Sequence, residues 1–600
     1  MTNSPYDNLP SGNSDTSSPK SPAMSTPAPI ATAPPVRPAP ATATPATPAP
    51  IAQAAKSRPN KTKPFTGKLH YTRRKFQTCC GTEEFTLPFE ESLLVPDTMP
   101  DMQEALFAEG KVQLPSHSSS GIITVFTVYR PINSSVIDVI KSSIPFNIGK
   151  LLDSTNFDTQ ASTQATAHPT TPPNVIATIA DLNVDMINER KFLIKGCLTI
   201  KITRINPIEL NILKSTDDEN LLTAKSLTKA TCLIHETTSN TEISQTITVN
   251  QDLPSPVKIL KSINHITETH RQITSGKLVI NATIHTNILY LGAPQDADSS
   301  DSTQTSAKTS IPSSITAKTD FTQFIALDAP DTDIDPDLIK ITFDESGLDT
   351  IIETQDKFLL QGTVSSDIKI FENRSLPSIT DAYHKKEELC FDLTAKPLQA
   401  IIETLTGEIS SRELVDINPT QDTPICGSCI ISSIEARPEQ NRIVIEGKAL
   451  IKLLSLKTDE APSVIECTVP IRGALATGSI APDTPNSRLH QCTPAVSITP
   501  AIKELWWNSI NAHQLEVNLS LAINLTVCSE EQFTTIENLC FIDDPHPAPH
   551  IPMAIYVVSE GDSLWSIAKR YKTDVPTLAK LNGLAPDANP PEGAKLFVSC

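Results

Sequence analysis

Six stretches of every-other-residue apolar alternation recur through most of the chain, and they restrict it to a β fold before anything else is read. Leu198, Ile200 and Ile202 follow Gly196; Val364, Ser366, Ile368 and Ile370 follow Gly362; Ala449, Ile451 and Leu453 follow Gly447. Ala282 takes the glycine's place before Ile284, Thr286, Ile288 and Tyr290. Gly121 precedes Ile123, Val125, Thr127 and Tyr129, and Val517 precedes Leu519, Leu521, Ile523 and Leu525. Successive side chains of a strand point to opposite faces, so this alternation makes half-buried strands. The anchors recur roughly every 80 residues, which marks a repeated unit. A glycine at the anchor implies a bulge or a close backbone approach. Several units continue into a second strand carrying Pro or Phe, at 143–146, 320–324 and 469–471.

A second landmark precedes two of the units. The segment 95–106 (Val-Pro-Asp-Thr-Met-Pro-Asp-Met-Gln-Glu-Ala-Leu) parallels 253–260 (Leu-Pro-Ser-Pro-Val-Lys-Ile-Leu). In both, prolines fix an extended entry and an apolar segment follows. Together with the glycine-led alternation, this resembles the SPOCS domain, a β-rich repeat of endospore-forming bacteria.

The last fifty residues make a separate small unit. A short strand begins at Tyr556, and Gly561-Asp562 turns the chain. Asp562 or Ser563 can cap a helix whose face is Leu564, Ile567, Ala568 and Tyr571. Thr573 or Asp574 can cap a second helix with Pro576 in its first turn and with Val575, Leu578 and Leu581 on its buried side. Asn582-Gly583 stops that helix, and 595–598 reads as the returning strand. Trp565 falls off the apolar stripe and is expected at the surface as a partner anchor. The segments Gly-Asp-Ser-Leu-Trp-Ser-Ile-Ala and Leu-Asn-Gly-Leu are in register with a LysM domain, which this unit resembles over 556–598. The resemblance implies that two loops hold an N-acetylglucosamine-containing glycan or, in some members, a protein. The residues so implicated are Gly561, Asp562, Ser563, Leu564, Trp565, Asn582, Gly583, Leu584 and Pro591.

The net charge is −19, which argues against binding to nucleic acid or an anionic membrane surface. No apolar run is long enough to span a bilayer, and the N-terminus lacks the pattern of a signal peptide, so a cytoplasmic start is expected. Residues 1–70 are rich in Pro, Ala, Thr and Ser, a composition expected to remain disordered, and they end in a basic run that includes Lys61, Lys63 and Lys68. The chain has 12 cysteines, of which Cys426 and Cys429 form a lone C-x-x-C with no second pair at a zinc-like distance, so no metal is expected. Cys79, Cys80 and Cys600 read as free thiols. Phosphate-loop, H-E-x-x-H and G-x-S-x-G motifs are all missing, so neither enzyme activity nor a cofactor is expected. Trp506-Trp507 reads as core or an interface edge rather than a sugar platform.

The expected architecture is mainly β: repeated SPOCS-like domains, a disordered N-terminal arm and a C-terminal α+β LysM domain of βααβ order. The expected divisions are an arm at 1–70, β units at 71–153, 174–293 and 320–543, a Ser/Thr-rich linker at 294–319, a Pro-rich hinge at 544–552 and the LysM unit at 553–600. This layout is similar to the SipL-type family of spore coat morphogenetic proteins. That resemblance implies a scaffold in the mother cell at the forespore surface, whose LysM unit recruits a coat-basement ATPase or other coat proteins. The alternative is a cell-wall protein that binds peptidoglycan or cortex glycan.

Overall fold

Each alternating stretch becomes the middle strand of a three-stranded antiparallel arrangement. A middle strand has its backbone paired on both sides and one face turned into the core, which explains why its alternation is the strictest. The computed structural model describes residues 62–115, 118–134, 136–154, 173–294, 310–327, 334–417, 424–439, 441–456, 461–477, 495–542 and 553–599. All of them belong to one compact unit, Asn60–Cys600. Residues 1–61 and the expected hinge at 544–552 lie outside the described residues.

After a short β1 (Thr62–Pro64), the same six-strand module occurs three times among the described residues. The first comprises β2 (Leu69–Leu94), β3 (Met102–Gln113), β4 (Ser120–Pro131), β5 (Asp138–Asn147), a short helix α1 (Gly149–Ser154), β6 (Asn174–Asn188) and β7 (Lys191–Thr216). The second comprises β8 (Leu221–Thr248), β9 (Pro256–Thr274), β10 (Lys277–Gly292), β11 (Ile311–Ala326), β12 (Ile339–Thr354) and β13 (Lys357–His384). The third comprises β14 (Leu389–Asp416), β15 (Pro424–Glu439), β16 (Arg442–Ser455), β17 (Ser463–Ala476), β18 (Ala495–Asn511) and β19 (Gln514–Ile542). In every module the second, third and fourth strands form one sheet, while the last strand pairs with both the first and the fifth. The sequence period therefore counts half-modules.

The two sheets of each module face each other across an apolar core. In module one, Ile123, Val125 and Ile144 meet Phe192, Leu198 and Ile200. In module two, Ile284, Ile288 and Tyr290 meet Phe358, Leu360 and Val364. In module three, Ile445, Ile451 and Val469 meet Val517, Leu519 and Leu521. Three of the anchor glycines face a register shift in the neighbouring strand: Gly196 beside Ile179/Asp181, Gly362 beside Asp344/Gly347 and Gly447 beside Ile431/Ser433. A Cβ at any of them would overlap a backbone oxygen of the bulged strand, which for Gly196 is Asp181 O at 2.5 Å. The two proline entries are equivalent as well. Tyr129 donates to Pro100 O at 3.1 Å, and Tyr290 donates to Pro254 O at 3.0 Å.

The first and last strands of each module are 26 to 29 residues long and run past their own sandwich. Their far halves form a shared hub. Phe76, Leu210, Cys232, Leu376, Leu398 and Phe533, one from each of the six long strands, pack together there. Cys390 and Cys540 are directly opposite in β14 and β19 and form a disulfide.

These pairings redraw the expected divisions. β2 pairs with β7, so one sheet joins 71–153 to 174–293. β13 pairs with β8, joining 174–293 to 320–543. Non-local pairing gives no signal in local composition, whereas Ser/Thr-rich segments between strands look like boundaries. The expected linker at 294–319 ends inside β11, which starts at Ile311. The arm expected over 1–70 includes β1, paired with residues 540–542 of β19.

Candidate functional site

The C-terminal unit folds as β20 (Ala554–Val557), α2 (Leu564–Tyr571), α3 (Val575–Leu581) and β21 (Lys595–Val598), with the two strands antiparallel. Leu564, Ile567, Ala568, Leu578, Ala579, Leu596 and Val598 make its core. Leu581, expected on the buried side, is exposed, because α3 ends there and the chain turns towards β21.

Ser563 caps α2 through a capping box with Ser566, and Asp574 caps α3 by accepting from Thr577 N at 2.8 Å. Asp562 does other work. It accepts from Tyr556 Oη at 2.6 Å and from Ser559 N at 2.9 Å, tying the first loop to β20. These two bonds hold its carboxyl below the usual carboxylate range. Asn582 ties the second loop to β21: Nδ2 donates to Leu578 O and Phe597 O, and Oδ1 accepts from Phe597 N at 2.7 Å. Gly561 and Gly583 sit at φ +83° and +65°, the left-handed region that a side chain resists. Both are exposed, as is Pro591. Asp562, Ser563, Asn582 and Leu584 are half-buried, and Leu564 is core.

Residues 556–599 match the family model of the LysM domain. No curated protein and no solved structure matches the chain. LysM domains bind peptidoglycan and other N-acetylglucosamine-containing glycans.

This LysM domain is seated on the β body. Trp565 lies at the contact rather than free at the surface. Its ring meets Tyr383 edge-on at 4.9 Å, and its Nε1 donates to Asp381 Oδ2 at 2.8 Å. Lys569, one turn further along α2, donates to the other oxygen of Asp381 at 2.5 Å and lies 5.6 Å from the Phe391 ring centre. Lys572 pairs with Glu388 at 3.0 Å, Lys385 with Asp574 at 2.9 Å, and Tyr383 Oη donates to Thr573 O at 2.5 Å. Hydrogen bonds from Thr577 and Lys385 hold the Asp574 carboxyl down to about 2. Its attraction for Lys385 is therefore present at neutral pH and lost only as pH falls towards that value. The docking surface is the α2 face and the α2–α3 turn, while Gly561 and Gly583 stay exposed. Sequence reading missed Asp381, Tyr383, Lys385, Glu388 and Phe391, because nothing near them in the chain signals a partner nearly 200 residues away.

Partly exposed ion pairs contribute about 0–1 kcal/mol each, and the aromatic contact about 0.5–1.5 kcal/mol. Asp381 serves two donors at once, so Asp381→Ala is expected to speed amide exchange across α2 while leaving the β-body melting transition in place. Hydrogen-exchange mass spectrometry checks this, and unchanged α2 protection contradicts it.

Among the described residues, no group of three or more His, Cys, Asp or Glu side chains is placed to hold a metal ion. Cys426 and Cys429 lie three apart on β15 and so face opposite sides of the sheet. Cys426 packs at the junction between modules, Cys429 in the core of module three. Burial pushes their thiols up to about 11 and about 12, which suppresses the reactive thiolate. Trp507 donates Nε1 to Pro424 O at 2.9 Å and packs on the core of module three, whereas Trp506 points outward. No helix among the described residues is long and apolar enough to cross a membrane.

Proposed function

We propose that this protein is a non-enzymatic scaffold whose LysM domain holds N-acetylglucosamine-containing glycan, in peptidoglycan or spore cortex. The observation that carries this reading is the orientation of the docked domain. It is fixed through α2, and the loops around Gly561 and Gly583 remain open to a ligand. Turn glycines there let a sugar ring approach the backbone closely. A cross-strand disulfide is typical of oxidising surroundings, which supports a wall or coat setting over a reduced cytoplasm. Co-sedimentation of the full chain with purified peptidoglycan tests the proposal. Saturable pelleting, competed by soluble N-acetylglucosamine oligomers, is expected. A folded chain that stays in the supernatant rejects it.

A second reading is a coat-assembly adaptor at the forespore surface, in which the LysM domain grips a coat-basement ATPase or another coat protein. One observation favours it. Met553, Ile555, Val557 and Phe597 are 60, 61, 52 and 48 % exposed on the outer side of the LysM sheet. A sugar held between the loops leaves this apolar surface uncovered, and a protein partner would use it. Under this reading, Ile555→Lys with Phe597→Glu abolishes capture from a sporulating lysate and leaves peptidoglycan pelleting unchanged. Parallel loss of both would mean that the domain itself had been damaged.

A further inference from the structure

Where the three sandwiches meet, apolar side chains are mixed with buried charge. Phe107 and Val128 of module one, Leu260 and Leu289 of module two, and Cys426 and Leu454 of module three share one cluster. Ion pairs cross the same region. Lys261 of β9, only 4 % exposed, pairs with Glu109 of β3. Lys111 of β3 pairs with Glu345 of β12 at 3.2 Å, and Lys318 of β11 pairs with Glu504 of β18.

Two histidines sit inside this frame. His265 of β9 and His285 of β10 are directly opposite each other. Both are on the face turned away from the core of module two, since the neighbouring Ile284 belongs to that core. His285 is 4 % exposed; its Nε2 is 3.0 Å from Thr267 Oγ1, and its Nδ1 is buried with no hydrogen-bond partner. His265 faces Glu345 of β12, Glu109 and Lys111 of β3, and Lys261 of its own strand. His285 faces Lys318 of β11, Lys503 and Glu504 of β18, and His265 itself. Every carboxylate in both sets is already paired with a lysine. A proton added to either ring would meet lysines, the other imidazole and carboxylates that are already paired, with the neutral Thr267 hydroxyl beside His285.

We propose that this junction is a proton-sensitive joint: on mild acidification His265 and His285 become charged and loosen the seam that the middle module makes with its neighbours. Each sandwich keeps its own apolar core and the long strands stay packed at the hub, so the change is an opening at this junction rather than unfolding of a sheet. Burial, the largest cause, lowers the proton affinity of both rings. An unfolded histidine titrates near pH ~6.5, so the folded chain binds fewer protons there than the unfolded one. The stability contribution is therefore complete above that pH and lost as pH falls below it. The joint is independent of what the LysM domain binds.

Two measurements on the full chain test the joint. Histidine-specific hydrogen exchange on the natural protein reports each imidazole directly, and both are expected to titrate below the ordinary histidine range. Titration of both at or above that range overturns the proposal even if no variant folds. Calorimetry and small-angle scattering at about pH 7.5 and about pH 5 then compare the natural chain with His265→Gln/His285→Gln. The natural chain is expected to lose several degrees more in melting temperature and to expand more than the variant. Equal losses in the two chains would show that the histidines are not the sensor.

Discussion

Leu564→Ala is expected to unfold the LysM domain and abolish its glycan capture while the β body stays folded. Leu564 is 3 % exposed and sits at the first turn of α2 among Ile567, Ala568 and Leu578. Truncating a buried leucine costs about 2–4 kcal/mol, as lost transfer energy plus a cavity. A domain of this size has little stability to spare. Docking adds support through Trp565 and Lys569, which meet Tyr383 and Asp381, and Tyr383 also joins the apolar cluster around Leu564, but a cavity at Leu564 loosens that cluster from within. Hydrogen exchange should therefore show rapid exchange across both helices, with native protection of the long strands. Retained protection in α2 and α3 would mean that the docking surface, not the small core, holds the domain together.

Gly362→Ala is expected to disrupt the middle module by roughly 3 kcal/mol or more, through strain and backbone collision together. Gly362 sits at φ +130°, and a Cβ there would overlap Gly347 O, part of the bulged strand opposite. Neither β12 nor β13 can yield cheaply, because Gly362 pairs with Leu348 on one side and with Ile243 on the other. Gly561→Ala is the matching control. Gly561 also has positive φ, at +83°, but no atom lies within 4 Å of the added carbon. Its cost should stay near 1 kcal/mol, the conformational part alone. Chemical denaturation, with each variant's loss of stability read against the natural chain on the transition of its own unit, separates the effects; equal losses would refute the collision at the bulge.

The parts of this fold that sequence revealed are those set by local pattern. Alternation after Gly196, Gly362 and Gly447 located the middle strands, and the glycines marked the bulges they oppose. Caps and turn residues placed both LysM helices to within a residue or two, and the turns at Gly561 and Asn582-Gly583 fell where the sequence put them. What stayed hidden was long range. β2 meets β7 across 97 to 147 residues, and Cys390 meets Cys540 across 150. The half-module period concealed the closure of each module by its first and last strands. Trp565 looked like a surface anchor because its partner, Tyr383, is fixed only once the long strands have paired.

On the reading proposed above, the LysM domain takes glycan at its open loops while it stays seated on the β body. Isothermal titration of the full chain with N-acetylglucosamine oligomers decides the matter. Saturable binding at one site per chain is expected, with unchanged exchange protection at the Trp565 contact. Absence of binding to a chain whose LysM helices remain protected would contradict it, as would binding that occurs only when α2 is released from Asp381.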